Sequence, residues 1–335
     1  MATSSVRARG RRRLRAVVTA AVLTLTLGVS GCGLAPATSF VPDVKPGSIR
    51  PIEGLPVGTG LTVTSKNFTE QLILGKIAVI AARAAGFDVQ DLTNVPGSQP
   101  VRQLMLDGQA DLTYEYTGTA WLTYLGKDKP IPDQRKQWQA VKDADTANGL
   151  TWGPPAPMNN TYAFAIRSAK AKQLGVTSLS DIATIPPAER TFCIEAEFNS
   201  RPDGMNPLLK TYGIPRGSGV PNGQIGIYDT GAVYTATANG DCNFGEVFTT
   251  DGRIKALDLT VLADDKKYFP AYNVSPVYNT KTLEEHPQLA QVFDRISPKL
   301  TDAELQELNL QVDVQGREPA DVAADWMVKE GFVTR

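Results

Sequence analysis

From Leu61 onward the chain alternates between stretches that suit a strand and stretches that suit a helix, and this alternation limits the possible folds more than any other feature. LTVTSK is β-branched with a period of two, and NFTEQLILGKIAVIAARAAG follows as a helix. Asn67 and Glu70 have the spacing of a capping box at its start. DVQDLTNV then reads as a strand or a strand plus loop, GSQPVRQLMLDGQ as a helix, and ADLTYEYTG as a strand running into a turn. Helices interleaved with strands must each bury one face on a sheet, so the expected class is a layered α/β fold.

A second α/β pattern begins at NNTYAFAIR, continues through TFCIEAEF and ends near GRIKALDLTVLADD. After the Pro-containing segment YFPAYNVSPVYN only helices follow: TLEEHPQLAQVFDRI, TDAELQELNLQ and EPADVAADWMVKEGF. Thr301 and Glu304 form a further candidate capping box. An all-helical tail cannot cover its apolar faces alone, so it should return to the first sheet. The expectation is a discontinuous lobe I (61–157 and 272–335) with lobe II (158–271) inserted. Two crossings, near Pro154–Pro157 and Pro270–Pro276, would act as the hinge.

The segment before this pattern has a different character. Six arginines fall within the first fifteen residues, followed by an uncharged apolar run from Ala16 to Val29, too short for a bilayer span. Val29-Ser30-Gly31-Cys32 has the order of a lipobox, so residues 1–31 read as a lipoprotein signal peptide and Cys32 as the lipidated first residue. Residues 32–60, rich in Pro, Gly, Ser and Thr, read as a flexible tether. The chain has 34 basic and 35 acidic residues; losing the six arginines with the leader leaves 28 against 35, or −7. That charge argues against a nucleic-acid partner. Of the two remaining cysteines, Cys193 and Cys242 each lie in a strand-like run. Outside the cytoplasm they could pair, and two buried free thiols are the alternative.

Catalytic signals are missing. The one histidine, His286, sits on a polar helix, and one histidine with two thiols makes no zinc set. Neither a nucleophile elbow nor a P-loop is present. The reading is therefore a binding protein without cofactor or metal, not an enzyme. Aromatic residues gather instead where strands end and lobes join: Tyr116, Tyr162, Phe248 and Tyr272. Aromatic faces around a cleft suit a quaternary ammonium, which offers charge but no hydrogen-bond donor. Tyr114 and Trp121, close to Tyr116, could be simple core fillers.

SKNFTEQLILGKI, ADLTYEYTGTA, NNTYAFAIR, FNSRPDGMNPLLKTYG, TTDGRIKALDLTVLADDKKYFPAYNVSPV and ELNLQVDV, in this order, resemble the substrate-binding proteins of ABC importers for glycine betaine, choline, carnitine and related osmoprotectants. The resemblance implies a type II periplasmic-binding fold, two α/β lobes joined by two crossing segments. By position it makes Tyr116, Tyr162 and Tyr272 walls of an aromatic cage, with Phe248 where the family commonly has a tyrosine. It assigns the carboxylate end of a betaine to Lys66, Thr119 and Arg201, and a guanidinium does offer a carboxylate a two-pronged grip. Gly118 would allow a tight turn beside Thr119, and a threonine there, in place of an acid, leans toward a betaine over choline. The implied partners are a quaternary ammonium ligand, an ABC permease and, through the lipid anchor, the outer face of the cytoplasmic membrane, with the protein a monomer. A second reading keeps the fold but binds choline, carnitine or an unrelated ligand, the cleft being reshaped by Phe248 and the polar stretch Ile214–Gly231. An extracytoplasmic enzyme is a third.

Overall fold

The structure is a computed structural model that describes residues 40–335, so the expected leader and the Cys32 lipidation site lie outside the described residues. Strand β1 (Lys45–Pro46) pairs antiparallel with the final strand β12 (Val333–Thr334). This corrects the expectation of a free tether to residue 60. Val41 and Ile49 are buried, Gly47 and Ile49 donate to the Phe332 carbonyl, and Ile52 donates to the Ala85 carbonyl at 2.8 Å. A few scattered apolar residues are enough to dock an irregular segment, and irregular packing leaves no period to read.

Lobe I is built on β2 (Gly60–Lys66), β3 (Asp88–Val95), β4 (Leu112–Tyr116) and β5 (Leu150–Trp152), completed by β11 (Val274–Asn279) in the order β3-β2-β4-β11-β5. β2 runs parallel to β3 and β4, while β11 is antiparallel to β4 and β5. Lobe II holds β6 (Tyr162–Arg167), β7 (Phe192–Glu195), β8 (Ile225–Tyr228), β9 (Phe244–Phe248) and β10 (Leu259–Val261) in the order β10-β6-β9-β7-β8. The chain crosses between sheets after β5 and again after β10, and the crossings meet at an Asn159–Asn273 bridge. Pro276 lies within β11 opposite Tyr114, so the second crossing ends before it.

The tail helices Gln288–Ile296, Asp302–Asp313 and Pro319–Lys329 pack on the helix Thr69–Ala84. That central helix is buried from Ile73 to Ala82, and the tail covers the side that the sheet leaves open. Thr301 caps its helix by accepting from the Glu304 amide, whereas the Glu304 side chain pairs with Lys329. The Asn67–Glu70 capping box does not form, because the helix begins at Thr69 and Glu70 turns inward. Cys193 on β7 and Cys242 before β9 are bonded, their α-carbons 5.8 Å apart, which settles the cysteine alternatives in favour of the disulfide.

Candidate ligand-binding site

The carboxyl ends of β2, β4, β7 and β9 converge with the two crossings on one cavity of about 50 Å³. In an open α/β sheet these are the ends from which loops depart and side chains are free to meet a ligand. Tyr116 ends β4, Tyr162 begins β6, Phe248 ends β9, and Tyr272 belongs to the second crossing; all four line this cavity. Tyr162 lies 5.2 Å from Phe248 and, edge-on, 5.5 Å from Tyr272. These separations are typical of packed aromatic pairs, so the rings hold one another in place.

A fifth ring completes the group. Phe68, between β2 and the first helix, stacks on Phe248 at 5.2 Å and on Tyr116 at 6.1 Å. Sequence reasoning passed over it, although an aromatic directly after a strand end is the same signal that singled out Tyr116. Ser98, Asn160, Glu195, Glu197 and Thr230 also line the cavity and were likewise missed. Glu195 ends β7 and Glu197 follows two residues later, so the strand-end rule could have found them; Ser98 and Asn160 carry no such signal.

Of the three residues assigned to a carboxylate, two reach the cavity wall and one does not. Lys66, at the end of β2, lines it, with Nζ donating to Glu115 at 2.6 Å and lying 5.0 Å from the Tyr116 ring centre. Thr119 lines it as well, its hydroxyl without a hydrogen bond among the described residues. Arg201 stands behind the wall. Its Nε and Nη2 donate to Asp203 at 2.8 and 2.7 Å, its Nη1 donates to Glu197 at 3.2 Å, and its guanidinium lies 5.2 Å from the Tyr162 ring centre. The Tyr272 hydroxyl also donates to Asp203, so one carboxylate holds both the arginine and a cavity ring.

The role expected of Gly118 is corrected. The backbone from Thr117 to Thr119 is helical, not a glycine-type turn. A Cβ on Gly118 would stand 2.6 Å from Tyr272 Cδ1 and 2.8 Å from the Ala271 carbonyl oxygen. Glycine is needed here so that the second crossing can lie against the end of β4. Tyr114 fills the lobe I core edge-on to Phe293, and Trp121 donates to the Lys129 carbonyl in a separate apolar cluster. His286 packs edge-on against Phe87 and is not part of the cavity wall.

Burial pushes the Tyr116, Tyr162 and Tyr272 hydroxyls well above the ordinary phenol range, so these rings are neutral across physiological pH. Burial likewise raises Glu195, against the hydrogen bond from Thr230. It raises Glu246, which accepts the Glu195 amide, further, with the Glu195 charge adding to the effect. Burial works against ionisation of Glu197 too, but Lys66, Ser98 and Arg201 together hold it below the ordinary carboxylate range. The site thus offers neutral aromatic faces, the ionised Glu197 carboxylate and the Lys66 ammonium, an arrangement suited to binding and orienting a small charged molecule.

Comparison with known proteins gives the family and the fold. The family described as the substrate-binding domain of ABC-type glycine betaine transport systems matches residues 59–329. The chain is 38% identical over 282 residues to a glycine-betaine-binding protein of Pseudomonas aeruginosa, spanning 82% of this chain and 89% of that one. It is 30% identical over 265 residues to the carnitine transport binding protein OpuCC of Listeria monocytogenes, spanning 78% and 83%. Among solved structures, one described as a glycine betaine/carnitine/choline ABC transporter superposes with a TM-score of 0.66 at 26% identity, covering 81% of this chain and 99% of that one. The two-lobed architecture is the type II periplasmic-binding fold.

Proposed function

We infer the ligand and its grip from one premise: this chain belongs to the family of substrate-binding domains of ABC-type glycine betaine transport systems. It is the extracytoplasmic solute-binding component of an osmoprotectant importer, and a binding protein, not an enzyme. Our reading is that it captures a quaternary ammonium osmolyte, glycine betaine first, between its lobes and hands it to a membrane permease. Tyr116, Tyr162, Phe248 and Tyr272 form the cage for the ammonium end, and Lys66, Thr119 and Arg201 receive the carboxylate. Cys32 carries the lipid that keeps the protein, a monomer, at the outer face of the cytoplasmic membrane.

The observation that carries this reading is the convergence of Tyr116 from lobe I, Tyr162 and Phe248 from lobe II and Tyr272 from a crossing on one cavity. A cation held by rings from both lobes is complementary only to the closed arrangement, so binding shifts the population toward closure. Isothermal titration calorimetry of the chain lacking residues 1–32 with glycine betaine, carnitine, choline and proline tests it. Glycine betaine should bind saturably, and Tyr116→Ala should weaken it by about 1 to 3 kcal/mol. No heat from any quaternary amine would reject the reading.

A second reading, choline or another carboxylate-free cation, is favoured by one observation: both cations assigned to the carboxylate already have acidic partners, Glu115 on Lys66, and Asp203 and Glu197 on Arg201.

A further inference from the structure

Glu197 belongs to lobe II, yet its carboxylate is held by lobe I. Its Oε1 accepts the Ser98 hydroxyl at 2.5 Å and its Oε2 accepts the Ser98 amide at 3.1 Å. Ser98 is the first residue of the helix Ser98–Leu106, whose leading amides favour a negative charge. On its other side Glu197 accepts from Arg201 Nη1, and it shares the cavity wall with Lys66 and Thr119. The groups that act on it are therefore a guanidinium, an ammonium, the Ser98 hydroxyl and a helix start, a set of donors that would also suit a ligand's carboxylate.

Resting on the cage reading above, we propose that Glu197 is a built-in carboxylate occupying the anionic half of the ligand site, and that it sets the preference between zwitterionic and purely cationic quaternary amines. A betaine carboxylate entering this half meets a like charge and must compete for Arg201 and Ser98. A ligand such as choline instead gains an acceptor for its hydroxyl and a counter-charge for its ammonium. Like charges brought together at a partly desolvated contact are a strong means of excluding one ligand. The charge is present at neutral pH, because burial, which opposes it, is outweighed by Lys66, Ser98 and Arg201. Glu195, which shares the cavity wall, is raised by burial and by the Glu197 charge.

The test is calorimetry of the full-length protein and of Glu197→Gln and Ser98→Ala variants, each with glycine betaine and with choline. Glu197→Gln keeps the size of the side chain and removes the charge; Ser98→Ala removes an interlobe hydrogen bond and keeps the charge. We expect Glu197→Gln to shift the ratio of the two affinities toward glycine betaine by roughly tenfold or more. Ser98→Ala should change both affinities by a similar factor and leave the ratio in place. Binding with an unmoved ratio in Glu197→Gln, or a ratio moved equally by Ser98→Ala, would overturn the assignment and leave Glu197 as a closure contact only. Absence of binding by all three proteins would reject the cage reading itself, and this inference with it.

Discussion

The Glu70 carboxylate accepts the Tyr116 hydroxyl at 2.7 Å while its other oxygen accepts the Thr250 hydroxyl, from the opposite lobe, at 2.5 Å. Asn160 in the first crossing and Asn309 in the tail donate to it as well. A single buried acid thus ties a cavity ring to both lobes and a crossing. Glu70→Gln puts an amide among four donors, and we expect a stability loss of about 1 to 3 kcal/mol together with weaker ligand binding through a displaced Tyr116. Urea unfolding and calorimetry on the same variant check this; an unchanged unfolding midpoint would show that the hub is dispensable.

Gly118→Ala drives a methyl group into the Tyr272 ring and the Ala271 carbonyl. Overpacking of this kind costs about 1 to 3 kcal/mol. Because the displaced ring is a cavity wall, ligand affinity should fall more than it does for an alanine placed at Gly223, which has open space around it and no left-handed backbone. Equal effects at the two sites would argue against the close approach.

Asp313 titrates with a pH signature of definite sign. Burial raises its carboxyl to about 6, against the pull of the Arg253 guanidinium. An acid raised in the folded state contributes stability that is complete below its unfolded value and is lost as pH rises through the folded value. Wild-type stability should therefore decline between about pH 4 and pH 6, with this group contributing on the order of 2 kcal/mol. Glu70 and Glu246 are raised too and act in the same direction, so the contribution of Asp313 is the difference between wild type and Asp313→Asn. Identical pH slopes for the two proteins in denaturant unfolding would remove Asp313 from the account.

The disulfide closes a loop between residues 49 positions apart. Cross-links of this kind restrict the unfolded chain and typically contribute about 2 to 4 kcal/mol. A Cys193→Ala, Cys242→Ala double variant should lose stability of that order in non-reducing buffer, and reductant should then have no further effect. A wild-type midpoint indifferent to reductant would mean that the bond contributes little to stability.

The alternation of periods two and 3.6 was enough, without coordinates, to place the strands and helices around the site: β2, β3, β4 and the helix Thr69–Ala84 lie where their apolar spacing put them. It also located four cavity rings, because residues at strand ends and crossings in an α/β protein face the cleft whatever their neighbours are. The tail, expected to be all-helical, could not bury its own apolar faces; it returns to the helix Thr69–Ala84 and ends in the short strand β12.

What a side chain pairs with was not legible, because partners come from segments distant in the chain. Glu70 looked like a local cap, yet donors from 46 to 239 positions away draw it inward, and their combined hydrogen bonds outweigh one exposed cap. Arg201 is the exception: Asp203 and Glu197, its near neighbours in the chain, hold the guanidinium, a local pairing that the sequence contained and its chemistry as a carboxylate clamp overshadowed. Gly118 was legible as a glycine but not as the gap into which Tyr272 fits, and the docked Val41–Ile52 segment has no period to announce it. Periodicity is a property of the chain and fixes which face of each element is buried; charge pairing, close approach and the burial of irregular segments are properties of surfaces that meet only once the chain has folded.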